Sequence, residues 1–264
     1  PISEAAPLGA ALGLSIKGYK SMVEMQFADF VSCGFNQIVN NLAKTHYRWQ
    51  QNADVVIRMP TGAGSGAGPF HSQSNEAWFF HVPGLKIVYP STPEDAKGLL
   101  LSSFYDPNPV LFFEHKNLYR AIKGNVPTNN FTIPIGKAKW VKKGDDVTII
   151  TYGLGVHWCS NYVAENNIDA TILDLRSLVP WDKEAVVEAV ERTGKVVVVH
   201  EDNLQGGIGA EIAAWIGEHC FKLLDAPVMR VASINTPIPF NKDLEDNYLG
   251  LNELGEKLNE LLNW

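Results

Sequence analysis

The stretch Thr61–Ser74 reads T-G-A-G-S-G-A-G-P-F-H-S-Q-S. Glycine takes backbone angles closed to other residues and lets a ligand approach the main chain, so four glycines at alternate positions, closed by Pro69, describe a loop held open for something. Phe70 and His71 leave it with a ring and with an imidazole that titrates near neutrality. On the loop alone two readings stand: a site loop at the end of a strand, or a flexible surface connection whose histidine has no chemical part. The run is not G-x-G-x-x-G and has no G-K-S/T, so neither phosphate motif is met. Ser72-Gln73-Ser74 is suited to cap a helix expected over Asn75–His81. Tyr152-Gly153-Leu154-Gly155 offers only a G-x-G, which we read as a tight strand-to-helix turn. His46, His81, His115, His157, His200 and His219 read as packed or surface imidazoles, with His200-Glu201 at a strand end where a partner subunit could touch it.

These residues need elements to position them. Ser3 is a helix cap in type, Glu4 suits the positive helix end and Pro7 comes early enough to be tolerated; the helix should run to about Lys17 with a small-residue face and stop at Gly18. Tyr19–Met25 is a short strand, Ala28–Trp49 a helix, Val55–Met59 the strand feeding the glycine loop and Leu85–Tyr89 another. Ser91-Thr92-Pro93-Glu94-Asp95 starts a helix reaching about Tyr105, and Val110–Phe113 is an apolar strand. Gly124–Ile135 carries Pro127, Asn129, Asn130 and Pro134 and reads as a domain linker. Beyond it strands at 147–152, 170–174, 195–199 and 227–231 alternate with helices near 156–166, 182–192, 209–220 and 249–262, which means parallel strands covered on both faces. The expectation is an α/β protein of two parallel-sheet domains, residues 1–123 and 137–264, joined by 124–136. Ligands in such sheets bind at the carboxyl ends of strands, where both glycine turns lie.

Apolar residues at 45 % and charged residues at 19 % suit a core-forming chain of 264 residues and exclude a disordered one. A net charge of −7 without a basic block argues against a nucleic-acid surface, and no apolar run reaches the roughly 20 residues of a membrane span. Cys33, Cys159 and Cys220 match neither a metal spacing nor a disulfide framework and are expected as reduced thiols. The abrupt start at Pro1, without a signal pattern, leads us to expect a longer chain upstream.

Glu24-Met25-Gln26-Phe27-Ala28-Asp29-Phe30, together with Pro1–Gly9, His71-Ser72-Gln73-Ser74, Pro83–Val88, Asp95–Leu100 and Leu175–Asp182, resembles the beta subunit of the thiamine diphosphate-dependent 2-oxoacid dehydrogenases, the decarboxylating components of the pyruvate and branched-chain complexes. The resemblance runs in order along the chain. It implies a pyrimidine-binding domain lacking its first part and a transketolase C-terminal-like domain. The local likeness is strongest to 2-oxoisovalerate dehydrogenase, with pyruvate as the alternative substrate and an inactive fragment keeping only assembly contacts as the alternative of another class. It implies an alpha subunit or fused alpha half that holds magnesium and the diphosphate, since no G-D-G…N motif occurs here. A second beta copy and a lipoyl acyltransferase component are the further partners, with a cytoplasmic setting in bacteria or the mitochondrial matrix in eukaryotes.

The resemblance also implies residue roles. Glu4 matches the glutamate whose carboxylate hydrogen-bonds the cofactor pyrimidine and so promotes loss of the thiazolium C2 proton. Phe30 matches the aromatic that packs on the pyrimidine, and Gln26 a cofactor contact nearby. His71 matches the histidine beside the reacting substrate. Asp106 and Asn108, with carbonyls around Val55, Val56 and Ser103, match a potassium site, for which oxygen ligands are right in kind; Asp-Pro-Asn-Pro as a plain turn is the competing reading.

Overall fold

The computed structural model describes residues 2–264; Pro1, with which the expected first domain and the first resembling segment begin, lies outside the described residues. The N-terminal half runs α1 (Ala5–Ile16), β1 (Ser21–Glu24), α2 (Ala43–Trp49), β2 (Val55–Thr61), α3 (Ala77–Phe80), β3 (Lys86–Val88), α4 (Pro93–Tyr105), β4 (Val110–His115) and α5 (Leu118–Ala121). The C-terminal half runs β5 (Lys139–Lys142), β6 (Val147–Thr151), α6 (Leu154–Glu165), β7 (Ala170–Asp174), β8 (Ser177–Val179), α7 (Lys183–Thr193), β9 (Val196–Asn203), α8 (Ile208–His219), β10 (Met229–Ser233), α9 (Lys242–Tyr248) and α10 (Leu251–Leu262). They form two five-stranded sheets, ordered β1-β2-β4-β3-β8 and β10-β9-β6-β7-β5.

The inner strands of both sheets are mostly apolar and almost wholly buried, as in β2 (V-V-I-R-M-P-T), β4 (V-L-F-F-E-H) and β6 (V-T-I-I-T), which is what a parallel sheet covered by helices requires. Neither sheet is wholly parallel, however. β8 pairs antiparallel with β3, Ile87 against Val179, and β5 pairs antiparallel with β7. Both are short strands without an alternating or long apolar run, so periodicity did not reveal them. β8 also crosses between the halves: it follows the second sheet's β7 by two residues and completes the first sheet.

Several local expectations hold with a changed detail. Thr92 caps α4 by accepting from the Asp95 amide at 3.2 Å, with Pro93 at the first position. Asp182 caps α7 in the same way. Ser3 does not cap α1; Glu4 occupies that position and no side chain caps it. Ala28–Trp49 is helical throughout but not uniformly so: a 3-10 turn over Ala28–Gly34 passes into a π-helical turn over Gln37–Leu42 before α2. Such π turns often mark functional sites. The helix expected over 249–262 is α10 (Leu251–Leu262), and it is preceded by α9, a helix the sequence did not suggest, with Leu249 extended between the two. Residues 124–138 have no regular element, and Ile133 and Ile135 pack on the outer face of the first sheet against Val56, Leu99 and Phe112. Cys33 is exposed, Cys159 and Cys220 are buried, and all three are free thiols. Among the described residues no helix is long and apolar enough to cross a membrane.

Gly84 turns the chain from α3 into β3 at φ +99°, with its α-carbon against the Ala43 carbonyl, where a Cβ would overlap backbone. Gly84→Ala is therefore expected to destabilise by about 1–3 kcal/mol from the backbone angle alone. Gly13 in α1 has open space around it, and Gly13→Ala should gain about 0.5–1 kcal/mol; urea denaturation of the two variants checks the contrast.

Candidate functional site

The glycine loop leaves β2 at its carboxyl end. Gly62, Gly64, Gly66 and Gly68 all take positive φ, from +69° to +100°, which successive L side chains would resist. The alternation turns the intervening amides toward one side, an arrangement that cradles anions. The anions are carboxylates of the C-terminal half. Glu201, in β9, accepts from the Ala63 amide at 2.7 Å; Glu245, in α9, accepts from Gly64 at 2.9 Å and from Gly66 at 2.8 Å. Phe240 seats its ring on Gly68, where a Cβ would overlap it. The loop is thus an anchored structure and not a loose connection.

Beyond Gly68 a single 3-10 turn delivers His71, whose amide donates to the Gly68 carbonyl at 3.3 Å. The imidazole stands edge-on between two rings: its centroid is 4.9 Å from Phe27 and 5.5 Å from Phe30, and the two rings are 5.8 Å apart. Phe27, Phe30 and His71 are all half-buried and form one open aromatic face. Lys116 donates to the His71 carbonyl and lies 5.0 Å above the Phe27 ring. Burial pushes its ammonium below the usual lysine range, against the pull of Asp29, Glu201 and Glu245. The trio after His71 does not cap α3. Gln73 gives its amide and side chain to Asp29 Oδ1 at 3.1 and 2.9 Å, Ser74 donates to Glu201 at 3.1 Å, and the Ser72 hydroxyl is buried without a protein partner.

Of the other expected residues, Glu4 lies at the start of α1, partly buried, its carbonyl beside Gly34 at the far end of the 3-10 turn that carries Phe30. Among the described residues its carboxylate has no hydrogen-bond or ion-pair partner. Gln26 is exposed where the chain leaves β1. The five residues of the expected cation site gather around the starts of β2 and β4: Val56 pairs with Val110, and the Asp106 amide reaches the Ser103 carbonyl at 3.3 Å. The Asp106 carboxylate is committed there, to Lys86 at 2.6 Å and to both nitrogens of Asn108 at 2.8 and 2.9 Å.

A second group of ionisable residues lies beneath the loop, between the two sheets. His115, at the end of β4, bonds Glu201 at 2.6 Å, and both are buried. Burial pushes the Glu201 carboxyl up, but His115, the Ala63 amide and Ser74 outweigh it and hold it below the usual carboxylate range. Tyr152 donates to Glu76 at 2.7 Å. Burial raises the Glu76 carboxyl, and nearby Glu201 adds to the rise; burial and Glu76 raise Asp202 in turn. His200 lies inside β9, fully buried, with both ring nitrogens unpartnered in the protein and its pKa pushed down to about 4 by burial. His200 and Glu201 therefore face their own chain, not a partner subunit. Gly153 (φ +55°) makes the tight turn read from the sequence, its α-carbon against the Tyr89 ring. These pairings join residues far apart in the chain, so no spacing pointed to them.

A cavity of about 300 Å³ opens beside this group, lined by Ser91, Thr92, Glu114, His115 and Tyr119 among others. It includes none of Glu4, Gln26, Phe30 and His71. Glu114 is already bound, to Arg58 at 2.7 and 3.2 Å and to the Tyr119 hydroxyl at 2.7 Å. The aromatic face with His71 lies apart from this cavity and is half-buried.

Buried carboxyls with raised pKa stabilise the fold only while protonated. Asp174, raised to about 7 by burial with Asp95 adding, loses that contribution as pH climbs from the ordinary value near 4 through about 7, and Glu76 and Asp202 share the direction. The lowered Asp54, Asp106 and Glu201 act the opposite way, below about pH 4. The melting temperature should therefore fall between pH 5 and 8, and Glu76→Gln should flatten that slope; a melting temperature rising across this range would contradict the assignment.

Comparison with known proteins places this geometry. Residues 1–122 match the family model of the transketolase pyrimidine binding domain and residues 136–253 that of the transketolase C-terminal domain. The chain is 46 % identical over 255 residues to the 2-oxoisovalerate dehydrogenase subunit beta of Bacillus subtilis (strain 168), covering 94 % of this chain and 78 % of that one. It is 44 % identical over 254 residues to the acetoin:2,6-dichlorophenolindophenol oxidoreductase subunit beta of Cupriavidus necator, covering 94 % and 75 %. Among solved structures, a split gene transketolase in an inactive beta4 tetramer superposes with a TM-score of 0.78 at 24 % identity, covering 99 % of this chain and 82 % of that one; at that identity the likeness speaks for the fold.

Proposed function

Because the chain belongs to the family of beta subunits of the thiamine diphosphate-dependent 2-oxoacid dehydrogenases, we propose that it is the beta part of a complex that oxidatively decarboxylates a branched-chain 2-oxo acid and passes the acyl group to a lipoyl group. The observation that carries this reading is the half-site made by His71, Phe27 and Phe30 beside the start of α1. Its residue types suit the pyrimidine end of the cofactor: ring faces for stacking, and at Glu4 a carboxylate that has no hydrogen-bond or ion-pair partner among the described residues. They do not suit the diphosphate end, because the amides of the glycine loop are filled by Glu201 and Glu245. Among the described residues no group of three or more His, Cys, Asp or Glu could hold a metal ion. We accordingly assign magnesium and the diphosphate to an alpha partner. We take residues 1–123 as the pyrimidine-binding domain, 124–136 as the linker and 137–264 as the transketolase C-terminal-like domain.

In this reading Glu4 holds a proton against the pyrimidine ring, Phe30 stacks on it and Gln26 contacts its edge. The cofactor, when bound, supplies the carbon that attacks the 2-oxo group. His71 sits at the substrate side, where its imidazole can hold or give a proton at the reacting oxygen. The rings of Phe27 and Phe30 stand edge-on to the imidazole at 4.9 and 5.5 Å and pack it from two sides. The remaining wall of the site, and the exclusion of water that it brings, come from the partner.

The branched-chain assignment rests on the 2-oxoisovalerate relative, and the nearly equal identity to the acetoin relative favours acetoin as a second reading. We also propose a weak potassium site at the carbonyls of Val55, Val56 and Ser103 with Asp106 and Asn108. Lys86 already neutralises Asp106 and competes with the ion. Potassium should raise the melting temperature over sodium only slightly, and Lys86→Met should enlarge the difference; no potassium effect in either protein removes the site.

Reconstituted with its alpha part, the enzyme should turn over 2-oxoisovalerate faster than pyruvate or acetoin, and a strong preference for either of the others overturns the substrate. Glu4→Gln should slow exchange of the cofactor C2 proton by at least about 100-fold, the low end for general acid–base catalysis, while circular dichroism stays unchanged. Exchange at the wild-type rate would remove Glu4 from its role.

A further inference from the structure

The anchoring of the glycine loop has a direction. Both carboxylates that hold its amides come from the C-terminal half, beside one side-chain bond from Asn117 of the N-terminal half to the Ala63 carbonyl at 3.0 Å, and the residue delivered at its end belongs to the half-site on the N-terminal half. Glu245 is fully buried, makes no ion pair among the described residues, and spends both oxygens on the Gly64 and Gly66 amides. A buried carboxylate without a cation is costly to keep, and a neutral side chain would join two halves at lower cost. What a carboxylate adds is a bidentate hold on two amides at once, stronger than neutral hydrogen bonds, on four glycines that would otherwise range freely. Two residues past Gly66 the chain enters the 3-10 turn whose Gly68 carbonyl receives the His71 amide.

We propose that Glu245 is a positioning residue for the 2-oxoacid reaction: its carboxylate, clamped by the Gly64 and Gly66 amides, fixes the crest of the loop and thereby the place of the His71 imidazole between Phe27 and Phe30. Glu201 fixes the first amide of the same loop at Ala63. Glu245 touches neither substrate nor cofactor; it acts through the backbone from the far side of the domain boundary. The inference rests on the reading of His71 under the proposed function.

The test is a double-mutant cycle in the assembled enzyme with its alpha part and cofactor. In Glu245→Gln the amide nitrogen faces an N–H and one of the two bonds is lost. His71→Ala should lower kcat. Glu245→Gln should lower kcat by about tenfold or more, with KM for the 2-oxo acid unchanged, as expected when an interaction of the transition state alone is weakened. In the His71→Ala background, Glu245→Gln should then cost nothing further, because its effect passes through the imidazole. A second arm uses Glu245→Ala, in which acetate at molar excess should refill the amide cradle and restore kcat in the presence of His71 but not in its absence. Losses that multiply, a rise in KM without loss of kcat, or acetate rescue independent of His71 would each overturn the positioning role. If His71→Ala itself leaves kcat intact, the reading of His71 falls and the positioning role with it, whereas a loss in His71→Ala with none in Glu245→Gln overturns the positioning role alone. Should Glu245→Ala fail to assemble, the Glu245→Gln cycle decides by itself.

Discussion

Three backbone amides of one loop, bound by two carboxylates from the other half of the chain, join the two halves at the candidate site. Glycine-rich loops at strand ends commonly receive a ligand's anion, and here the anions are Glu201 and Glu245. The same Glu201 carries the His115 pair and the Ser74 bond, so the loop, the end of β4 and the segment after His71 are fixed by one side chain. The cost of burying it is offset by three hydrogen-bonding partners, Ala63, Ser74 and His115, which is the condition under which a buried charge is tolerated. Removing any one of them leaves the others under a heavier electrostatic load.

Around that junction the chain divides its work. The N-terminal half supplies the aromatic face and the imidazole, and the C-terminal half supplies the anions that shape the loop and the acids beneath it. Glu76 and Asp202 come from opposite halves, and burial raises both toward the protonated state, with Glu201 adding to the rise at Glu76 and Glu76 to the rise at Asp202. That keeps the junction from accumulating unbalanced negative charge at neutral pH, since Glu201 stays ionised against His115. His200 contributes none, held neutral by its burial.

Much of the fold was legible in the sequence, because its inner strands are mostly apolar runs and its helices carry local stop and start signals. Thr92 and Asp182 announced α4 and α7, and Gly18 ended α1. What failed was of two kinds. β5 and β8 are short edge pieces whose strand character comes from the partner they meet. Gln73 and Ser74, cap-like by type, were drawn away by the tertiary partners Asp29 and Glu201, and the Ser72 hydroxyl is buried without a protein partner. The site was half legible: Phe30 and His71 came from a whole-chain resemblance, and the structure brings them within 5.5 Å of one another. Phe27, Lys116, His115 and Glu245 gave no local signal, since each works through residues distant in sequence. The glycine loop was noticed for its angles, but no pattern of glycines says which carboxylate will fill it.

The pairing of β8 with β3 bears on how the chain comes off the ribosome. The first sheet emerges early, yet its β3 edge stays unpaired until β7 and the turn after it have been made. An uncovered strand edge is a template for any other extended segment, and domains otherwise tend to fold in order from the N-terminus. The first sheet of this chain must wait for a strand from the second half, so neither sheet is complete before synthesis is well advanced.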